Sequence, residues 1–404
     1  MKGSQALRTI AIVGGGPAGS MTAERLMRGY ARSNSGQNPS RVVVFEEKLG
    51  WEKPCGGGLS HKALKEYPFL FSAEGLGNPV WKMELWAPGD VRVCLNLRQP
   101  LAIYSRRELN HFLLQRAEQA GAEVVEDRIT SVARVGEQWR LKGRTGTREA
   151  DYLILAAGAR SRLRDQLAGA LKAQDFMLTF GYFVPAREDT LRIEFFEDFE
   201  GYAWSFPRSD HLSVGICGKV GQSMMVDLQQ KLFGFMARFG YSRDPAPVFS
   251  HLLPSLEVDS WSGIRLEGAG WALVGDVSGL VDPITGEGLY FGLRSGELLA
   301  ESILSGSSYT QTVWNEFGAK LMLGARMCQK FYCGKFLGAG VTTRMIQFCN
   351  RSKTFLNLFQ DLIEGNQAYR GLRSRLYRSL PKSIWEIATQ TLRESMGIQP
   401  AGKP

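Results

Sequence analysis

An apolar run at residues 9–13 ends in a glycine pattern that can bind phosphate. The run predicts a buried strand, and Gly14, Gly16 and Gly19 follow it before helical periodicity begins. In such a turn the first glycine permits a tight bend, the second lets the backbone approach a pyrophosphate, and the third allows close packing of helix on strand. The helix N-terminus adds N–H groups and a partial positive charge. The pattern therefore predicts a ligand that carries a diphosphate.

A second strand brings an acidic side chain to the same turn. Residues 41–45 predict another buried strand, and Glu46 and Glu47 follow its four apolar residues directly. A carboxylate in this place accepts hydrogen bonds from a ribose, and we expect Glu46 rather than Glu47 in that role. Glu46 lies 32 positions after Gly14, more than the usual ~20, because residues 31–41 are polar and predicted to be a surface insertion. Strand, helix, strand and acid together predict a bound dinucleotide.

A second glycine-rich segment lies more than 250 residues further along the chain. Residues 271–274 predict a strand, Gly275 and Asp276 follow it, and a helix is predicted from residue 289 to about residue 303. The carboxylate can contact a ribityl chain, and amides at the helix N-terminus can contact an anionic ring edge. The chain shows no downstream constellation typical of a nicotinamide dehydrogenase. One long ligand that touches both segments fits best, and FAD is such a ligand.

Length and composition limit the remaining possibilities. The 404 residues suggest two or three domains, and 44% hydrophobic with 22% charged residues is typical of a globular protein rather than a disordered or fibrous one. The six cysteines show no disulfide framework, and neither a metal-binding pattern nor Gly-x-Ser-x-Gly occurs. Because the sequence shows no signal peptide or spanning segment, we expect a cytoplasmic protein. Because it lacks a metal-binding pattern, we expect no metal centre.

The sequence resembles the geranylgeranyl reductase family, within the para-hydroxybenzoate hydroxylase-like flavoprotein fold. The motifs that carry the likeness are Gly14-Gly15-Gly16-Pro17-Ala18-Gly19, Pro54-Cys55-Gly56-Gly57-Gly58-Leu59, Arg106-Arg107-Glu108-Leu109, Tyr202-x-Trp204-x-Phe206-Pro207, and Gly275-Asp276 through Asp282-Pro283-x-x-Gly286-x-Gly288. They span residues 10 to about 305, and the second and fourth are the most specific to the reductases. The resemblance implies an α/β fold with a Rossmann-type FAD-binding domain, an inserted antiparallel β-sheet substrate domain and a helical C-terminal region.

The domain boundaries combine this resemblance with the hydrophobic pattern. Period-two alternation of apolar residues over 191–216 predicts half-buried strands of an antiparallel sheet. The predicted boundaries are 1–60, 100–170 and 265–320 for the discontinuous FAD-binding domain, 61–99 and 171–264 for the substrate-binding domain, and 321–404 for the helical, basic C-terminal region.

The resemblance also implies roles for single residues at the cofactor. Arg106 matches the family arginine that contacts the FAD backbone, and Arg107 is the alternative if the register differs by one. Asp276 would bind the ribityl or pyrophosphate part. Gly286 and Gly288 would present amides near the isoalloxazine. These residues join the glycines of the first turn in the predicted FAD site.

Two motifs are assigned to the substrate side. Tyr202, Trp204 and Phe206 alternate along one predicted strand. Aromatic residues that alternate in this way usually pack a core. The resemblance, however, implies that Tyr202 and Trp204 line an apolar tunnel over the flavin that holds a prenyl chain. Cys55 and Gly57 lie in the glycine loop that lines the family's cavity. The Cys55 thiol is the one catalytic candidate, as a proton donor or a group that tunes the flavin, although small-residue packing would also explain this loop.

The last fifth of the chain holds the whole net charge of +9. Thirteen Lys or Arg and four Asp or Glu follow residue 320, where apolar residues recur at helical spacing. A solvated helical face explains this charge, and attraction to anionic lipid or an anionic substrate is the alternative. The arginines that would orient a diphosphate or contact an anionic membrane are Arg370, Arg373, Arg375 and Arg378. Nucleic acid is not expected, because no binding motif accompanies the charge.

The predicted function is an FAD-dependent reductase that saturates C=C bonds of a prenyl, geranylgeranyl-type lipid or related hydrophobic substrate. The first alternative is an FAD-dependent monooxygenase or halogenase on the same fold. Halogenases carry Trp-x-Trp-x-Ile-Pro, where this chain has Tyr202-x-Trp204-x-Phe206-Pro207. The second alternative is a non-catalytic flavin- or lipid-binding protein. Ala157-Gly158 stands where the fold usually has an Asp-Gly pair, so the electron donor, NAD(P)H or a protein such as ferredoxin, stays open.

Overall fold

The chain alternates helices and strands along most of its length. The structure is a computed structural model and describes residues 9–32, 41–72, 75–221 and 225–396. The α-helices are α1 (Pro17–Arg32), α2 (His61–Glu66), α3 (Phe69–Ser72), α4 (Arg106–Gln119), α5 (Asp165–Ala168), α6 (Met225–Phe239), α7 (Val258–Ser262), α8 (Leu289–Ser305), α9 (Tyr309–Val313), α10 (Ala319–Cys333), α11 (Val341–Arg351), α12 (Lys353–Ile363) and α13 (Leu372–Ser395). Short 3₁₀ segments cover Arg162–Arg164, Ala173–Asp175 and Gly275–Ser278, and a π-helical segment covers Trp314–Gly318.

The strands of the described residues are mostly short and fall into four sheets. They are β1 (Thr9–Val13), β2 (Arg41–Glu46), β3 (Gly58–Leu59), β4 (Gly77–Ala87), β5 (Val91–Tyr104), β6 (Glu123–Glu126), β7 (Ser131–Val135), β8 (Gln138–Lys142), β9 (Thr147–Ala150), β10 (Tyr152–Leu155), β11 (Phe176–Val184), β12 (Thr190–Phe195), β13 (Gly201–Pro207), β14 (Leu212–Lys219), β15 (Val248–Pro254), β16 (Glu267–Gly268), β17 (Trp271–Leu273), β18 (Lys335–Phe336) and β19 (Ala339–Gly340).

The first compact unit contains the described residues of 1–55, 104–178 and 251–325. Its six-stranded sheet has the order β16-β17-β10-β1-β2-β6, and every pair from β17 to β6 is parallel. Helices α4 and α8 pack against α1. Trp139 and Leu141 of the small β7-β8-β9 sheet share a buried core with residues of the large sheet. Because parallel strands end at the same edge, the segments that follow β1, β2 and β17 are brought together.

The second compact unit contains the described residues of 56–103, 179–250 and 326–404. Its eight-stranded sheet has the order β15-β11-β14-β13-β12-β4-β5-β3. Strand β13 pairs antiparallel with both neighbours, as the alternation predicts, but β4 and β12 run parallel. A parallel pair needs a long connection, and the chain between β4 and β12, which passes through the first unit, provides one.

Local elements follow the sequence patterns closely. Strand β1 covers the predicted residues 9–13, and β13 and β14 cover the alternating runs. Helix α1 begins at Pro17, because proline is favoured in the first turn of a helix. Of the predicted insertion at 31–41, residues 33–40 lie outside the described residues.

The C-terminal part is helical, as predicted. Helices α11, α12 and α13 belong to the second unit together with the rest of residues 326–396. Among the described residues, none of the helices combines the length and the apolar character that crossing a bilayer requires.

Candidate functional site

The glycine turn after β1 has the geometry that its predicted roles require. Gly14 has a φ of +106°, and a Cβ there would lie 2.4 Å from the carbonyl oxygen of Ala156. A Cβ on Gly19 would lie 1.9 Å from the carbonyl oxygen of Gly14, so glycine lets α1 pack this closely. A Cβ on Gly16, by contrast, would meet no atom within 4 Å. Gly16 therefore borders open space at the start of α1, where first-turn N–H groups have no acceptor within the helix.

Glu46 contacts this turn from the end of β2. Its Oε2 accepts a hydrogen bond from the N–H of Gly15 at 2.6 Å. Glu47 instead forms ion pairs with Arg128 at 3.4 Å and Arg144 at 3.0 Å. The choice of Glu46 over Glu47 as the residue at the phosphate-binding turn agrees with this arrangement, and its role toward a ribose stays a prediction.

The second glycine-rich segment lies against the first. Gly275 has a φ of +70°, and a Cβ there would approach the Cβ of Ala18 to 2.8 Å. A Cβ on Gly296 of α8 would lie 2.4 Å from the carbonyl oxygen of Ala18. The N–H of Gly275 also donates to Oγ of Ser295 at 3.0 Å. Two segments that are far apart in the chain thus meet at the first turn of α1, as one shared ligand requires.

Asp276 carries an ion pair that the sequence did not reveal. Its Oδ2 lies 2.6 Å from Nζ of Lys53, and each side chain is 17% exposed. Burial alone would raise the pKa of Asp276, but the charge and hydrogen bond of Lys53, with a contribution from Arg106, lower that pKa below its ordinary value. A Cβ on Gly288 would come within 3.1 Å of Oδ1. Asp276 is therefore an ionised carboxylate at the start of α8.

His251 is a buried, uncharged base in the same group of residues. It is 8% exposed. Burial, followed by the positive charge of Lys53, lowers its pKa to about 3, and Arg160 and Arg106 act in the same direction while Asp276 opposes them. The imidazole is consequently neutral at physiological pH.

Of the two adjacent arginines, Arg106 points inward. It is 4% exposed, whereas Arg107 is exposed to solvent. Its Nη1 donates to Sγ of Cys55 at 3.2 Å, its Nη2 to Oδ1 of Asn110 at 3.2 Å, and its backbone N–H to Oε1 of Glu52 at 2.7 Å. Its Nε is buried and has no hydrogen-bond partner within the described parts of the chain. Cys55, the catalytic candidate, is half-buried and forms no disulfide with any described cysteine, and its sulfur contacts this guanidinium.

The loop before α8 uses several of its backbone amides in hydrogen bonds to Asp282. The Oδ1 of Asp282 accepts hydrogen bonds from the N–H groups of Ile284 and Thr285, at 3.0 and 3.1 Å. The carbonyl oxygen of Asp282 accepts the N–H of Gly286 at 2.9 Å. Gly288 is the N-cap residue of α8. The contact of Gly286 and Gly288 with an isoalloxazine stays a prediction, and the amide of Gly286 already has an acceptor.

In the second unit, the two motifs assigned to the substrate pack against each other. A Cβ on Gly56 would lie 2.6 Å from Cδ2 of Phe206, and one on Gly58 would lie 3.1 Å from Cε2 of the same ring. Gly57, between them, has a φ of +84°, which favours glycine. The Phe206 ring therefore lies directly on the backbone of the glycine loop.

Tyr202 and Trp204 share a face of β13 with Phe206 but differ in exposure. Trp204 is 4% exposed, and its indole covers Gly215, where a Cβ would lie 2.5 Å from Cζ2. Tyr202 is half-buried, and its ring is stacked 6.5 Å from that of Tyr332. Trp204 consequently packs within the sheet, whereas Tyr202 and Phe206 keep part of their rings accessible. The roles of all three toward a substrate stay predictions.

The residues of the first unit fit the diphosphate-bearing part of FAD. Gly16 opens a space that a side chain would fill, and Arg106 has a buried donor, Nε, that no described residue accepts from. Lys53 adds a second cation, and the first turn of α1 adds backbone N–H groups. Such a set of donors and positive charges suits an anionic diphosphate.

Lys53 and His251 are the residues of this site that sequence reasoning missed. Lys53 immediately precedes the Pro54-Cys55 motif, so a cation beside the glycine loop was an available signal. His251 lies in β15, where buried and exposed residues alternate over 248–251 and the histidine takes a buried position. The period-two spacing of side chains in a strand could have predicted that His251 is buried.

Comparisons with known sequences give one matching family and relatives that align over most of the chain. A family described as FAD dependent oxidoreductase matches residues 82–301. The geranylgeranyl diphosphate reductase of Synechocystis is 27% identical over 385 residues, which cover 87% of this chain and 89% of that protein. The digeranylgeranylglycerophospholipid reductase of Methanothrix thermoacetophila is 26% identical over 408 residues, which cover 94% of this chain and 98% of that protein. The resemblance to geranylgeranyl reductases is confirmed.

Solved structures show the same fold. A geranylgeranyl bacteriochlorophyll reductase-like protein from Thermoplasma acidophilum matches with a TM-score of 0.73 at 19% identity, over 95% of this chain and 99% of that one. The flavin-dependent brominase Bmp2 matches with a TM-score of 0.68 at 16% identity, over 92% and 99%. At these identities the structures bear on the fold alone. The predicted fold class, with its Rossmann-type domain, inserted sheet and helical C-terminal region, is confirmed, and the parallel β4–β12 pair is a departure from the predicted antiparallel sheet.

Proposed function

The chain belongs to the FAD-dependent oxidoreductase family, and we propose that it reduces carbon–carbon double bonds in a prenyl lipid of the geranylgeranyl type. The main structural support for this proposal is one contact, in which the ring of Phe206 packs on Gly56 and Gly58. It joins the two motifs by which the sequence most specifically resembles the reductases. The names of the two relatives, both reductases of geranylgeranyl compounds, support the same substrate class.

The chain's own residues have to bind and orient the cofactor. Bound FAD, once reduced, supplies the hydride that saturation requires at one alkene carbon. Gly16 and the first turn of α1 would hold the diphosphate, and Arg106 would donate to it from Nε. Glu46 would accept hydrogen bonds from the adenosine ribose. Asp276, kept ionised by Lys53, would accept them from the ribityl hydroxyls.

The substrate side of the proposal rests on three residues. Tyr202 and Phe206 would contact the prenyl chain with the accessible parts of their rings, because aromatic faces bind apolar chains without hydrogen bonding. A proton must reach the second alkene carbon. Cys55 is the candidate donor, and Arg106 fixes the position of its sulfur at 3.2 Å.

The proposed substrate class bears on where in the cell the enzyme acts. A prenyl lipid resides in a bilayer, so an enzyme that acts on it has to reach the membrane surface. The net charge of +9, all of which falls after residue 320, supports attraction to anionic lipid. We therefore include peripheral association with an anionic membrane in the proposed function.

Product mass tests the reductase against its oxygen-using rival. The FAD-loaded protein, a chemical reductant and geranylgeranyl diphosphate should give products heavier by about two mass units for each double bond saturated. Parallel reactions with oxygen and bromide, using the same substrate or a phenol, test the brominase-like alternative. Gly16→Val, a variant expected to bind FAD at least about tenfold more weakly, is the control at an FAD concentration that saturates only the unmodified chain. Products that gain oxygen or bromine, with no saturated product, would contradict the proposal.

A further inference from the structure

Helix α13 presents a row of large apolar side chains to solvent. Trp385, Leu392 and Tyr377 are 66%, 62% and 60% exposed, and Ile384 and Leu380 are 57% and 48% exposed. Tyr377, Leu380 and Ile384 follow one another at helical spacing, and Trp385 and Leu392, seven residues apart, form the adjacent row. We call these five side chains the outer face of α13. Single exposed apolar residues are ordinary, but five on one helix mark an interaction surface.

Polar side chains help to hold the opposite side of α13 against α12. The Oε2 of Glu386 accepts hydrogen bonds from Oγ of Ser352 at 2.6 Å and from the N–H of Thr354 at 3.0 Å. Arg375 forms an ion pair with Asp361 of α12. A helix that packs on a core normally turns its apolar side inward. The outer face of α13 lies on the side away from these contacts and stays exposed within the described part of the chain.

Basic side chains accompany the outer face. Arg373, Arg378 and Lys382 are exposed on the same helix, and the guanidinium of Arg373 lies 5.5 Å from the ring centre of Tyr377. Apolar and aromatic residues beside cations are the pattern of a helix that lies in the interface of an anionic membrane. We propose that the outer face of α13 docks on a bilayer that contains anionic lipid, with its apolar side chains among the headgroups and its cations in contact with them.

Charge distinguishes this partner from a second copy of the chain. Two copies that met through the outer face would bring Arg373, Arg378 and Lys382 of each close to those of the other, and like charges disfavour such contact. Anionic headgroups neutralise the same cations. The inference rests on the proposed function in one respect, because that function places the substrate in a membrane.

Vesicle co-sedimentation of the full, FAD-loaded chain tests this surface. Ile384→Ser with Trp385→Ser should weaken binding to vesicles of phosphatidylcholine and phosphatidylglycerol by about tenfold or more. The matched control is Val248→Ser with Trp81→Ser, which removes one aliphatic and one indole side chain exposed to 61% and 50% elsewhere in the same unit. The control should bind like the unmodified chain. Unmodified protein should bind vesicles of pure phosphatidylcholine more weakly, and added salt should weaken its binding to the anionic ones.

Three results would overturn the inference. Equal vesicle binding by the α13 variant and its control would show that the outer face is not the membrane-binding surface. Equal binding of the unmodified chain to neutral and anionic vesicles would remove the role of charge. A dimer that becomes monomeric in the α13 variant, without vesicle binding, would assign the face to a second copy. Turnover of dispersed geranylgeranyl diphosphate separates this inference from the proposed reductase activity: a chain that binds vesicles through α13 without reducing the substrate refutes the activity alone.

Discussion

The ammonium of Lys53 and the carboxylate of Asp276 lie 2.6 Å apart, although 223 positions separate them in the chain. The pair connects the segment before the Cys55 loop to the segment after β17. It keeps Asp276 ionised where the two glycine-rich segments meet, and it places a cation beside the predicted diphosphate site. Both consequences can be measured.

Lys53→Met should make the protein more sensitive to acid. Because the pKa of Asp276 is lowered in the folded chain, its ionised form stabilises the fold at pH values above the unfolded pKa, and this stability is lost as the pH falls through the folded pKa. Without Lys53 the folded pKa rises and the loss begins at higher pH. We expect unfolding, followed by tryptophan fluorescence, to move to higher pH, with about 1–3 kcal/mol lost at neutral pH, less than for a fully buried pair. Lys48→Met, in the same segment but exposed, is the control, and identical acid transitions in both variants would contradict this role for Lys53.

Substitutions at two glycines of the first turn should separate cofactor binding from folding. A side chain on Gly16 enters open space, whereas a Cβ on Gly19 would lie 1.9 Å from the carbonyl oxygen of Gly14. Gly16→Val should therefore keep the thermal stability of the apoprotein but weaken FAD binding by tenfold or more, about 1.4 kcal/mol. Gly19→Ala should lower the melting temperature itself. Flavin fluorescence and thermal unfolding give the two readouts, and normal FAD binding by Gly16→Val would contradict the predicted position of the diphosphate.

The contact between the glycine loop and Phe206 should appear as energetic coupling. Gly56→Ala places a Cβ 2.6 Å from Cδ2 of the ring and should cost about 1–3 kcal/mol through overpacking. In a Phe206→Ala background the same change should cost much less, because the ring is gone. A double-mutant cycle from urea unfolding should give a coupling energy of about 1 kcal/mol or more. Additive effects of the two substitutions would show that the ring and the loop do not touch in solution.

His251 should make apoprotein stability depend on pH. The pKa of His251 is about 3 in the folded chain, whereas an unperturbed histidine, as in the unfolded chain, has a pKa of 6.5. Below pH 6.5 the unfolded chain therefore binds a proton that the folded chain does not. The free energy of unfolding should then fall with decreasing pH, by up to about 1.4 kcal/mol per pH unit from this group. His251→Gln should remove that part of the slope between pH 7 and pH 5. An unchanged slope would mean that the imidazole is accessible to protons in the folded chain.

Local patterns predicted the elements that carry the two glycine-rich segments. The strand at 9–13, the glycine turn and the second glycine segment depend on short-range signals: apolar runs, glycines at positive φ and proline at a helix start. The choice of Arg106 over Arg107 followed from motif register, and burial of Arg106 agrees with it.

Contacts between distant segments could not be predicted in the same way. Lys53 contacts Asp276, and Phe206 contacts Gly56, only because the tertiary fold brings these distant segments together. Hydrophobic periodicity likewise indicated amphipathic helices after residue 320, but it could not say which side of α13 faces inward. The polar contacts of Glu386 and Arg375 decide that, and they depend on partners in α12.

The most direct test of the account is an anaerobic reaction of the reduced, FAD-loaded protein with a geranylgeranyl substrate. Flavin absorbance is followed while the product is analysed by mass. We predict that the oxidised flavin spectrum returns without oxygen, and that its rate matches the appearance of a product with one double bond saturated. A flavin that stays reduced in the presence of substrate, and reoxidises only when oxygen is admitted, would contradict the central claim and favour an oxygen-using enzyme.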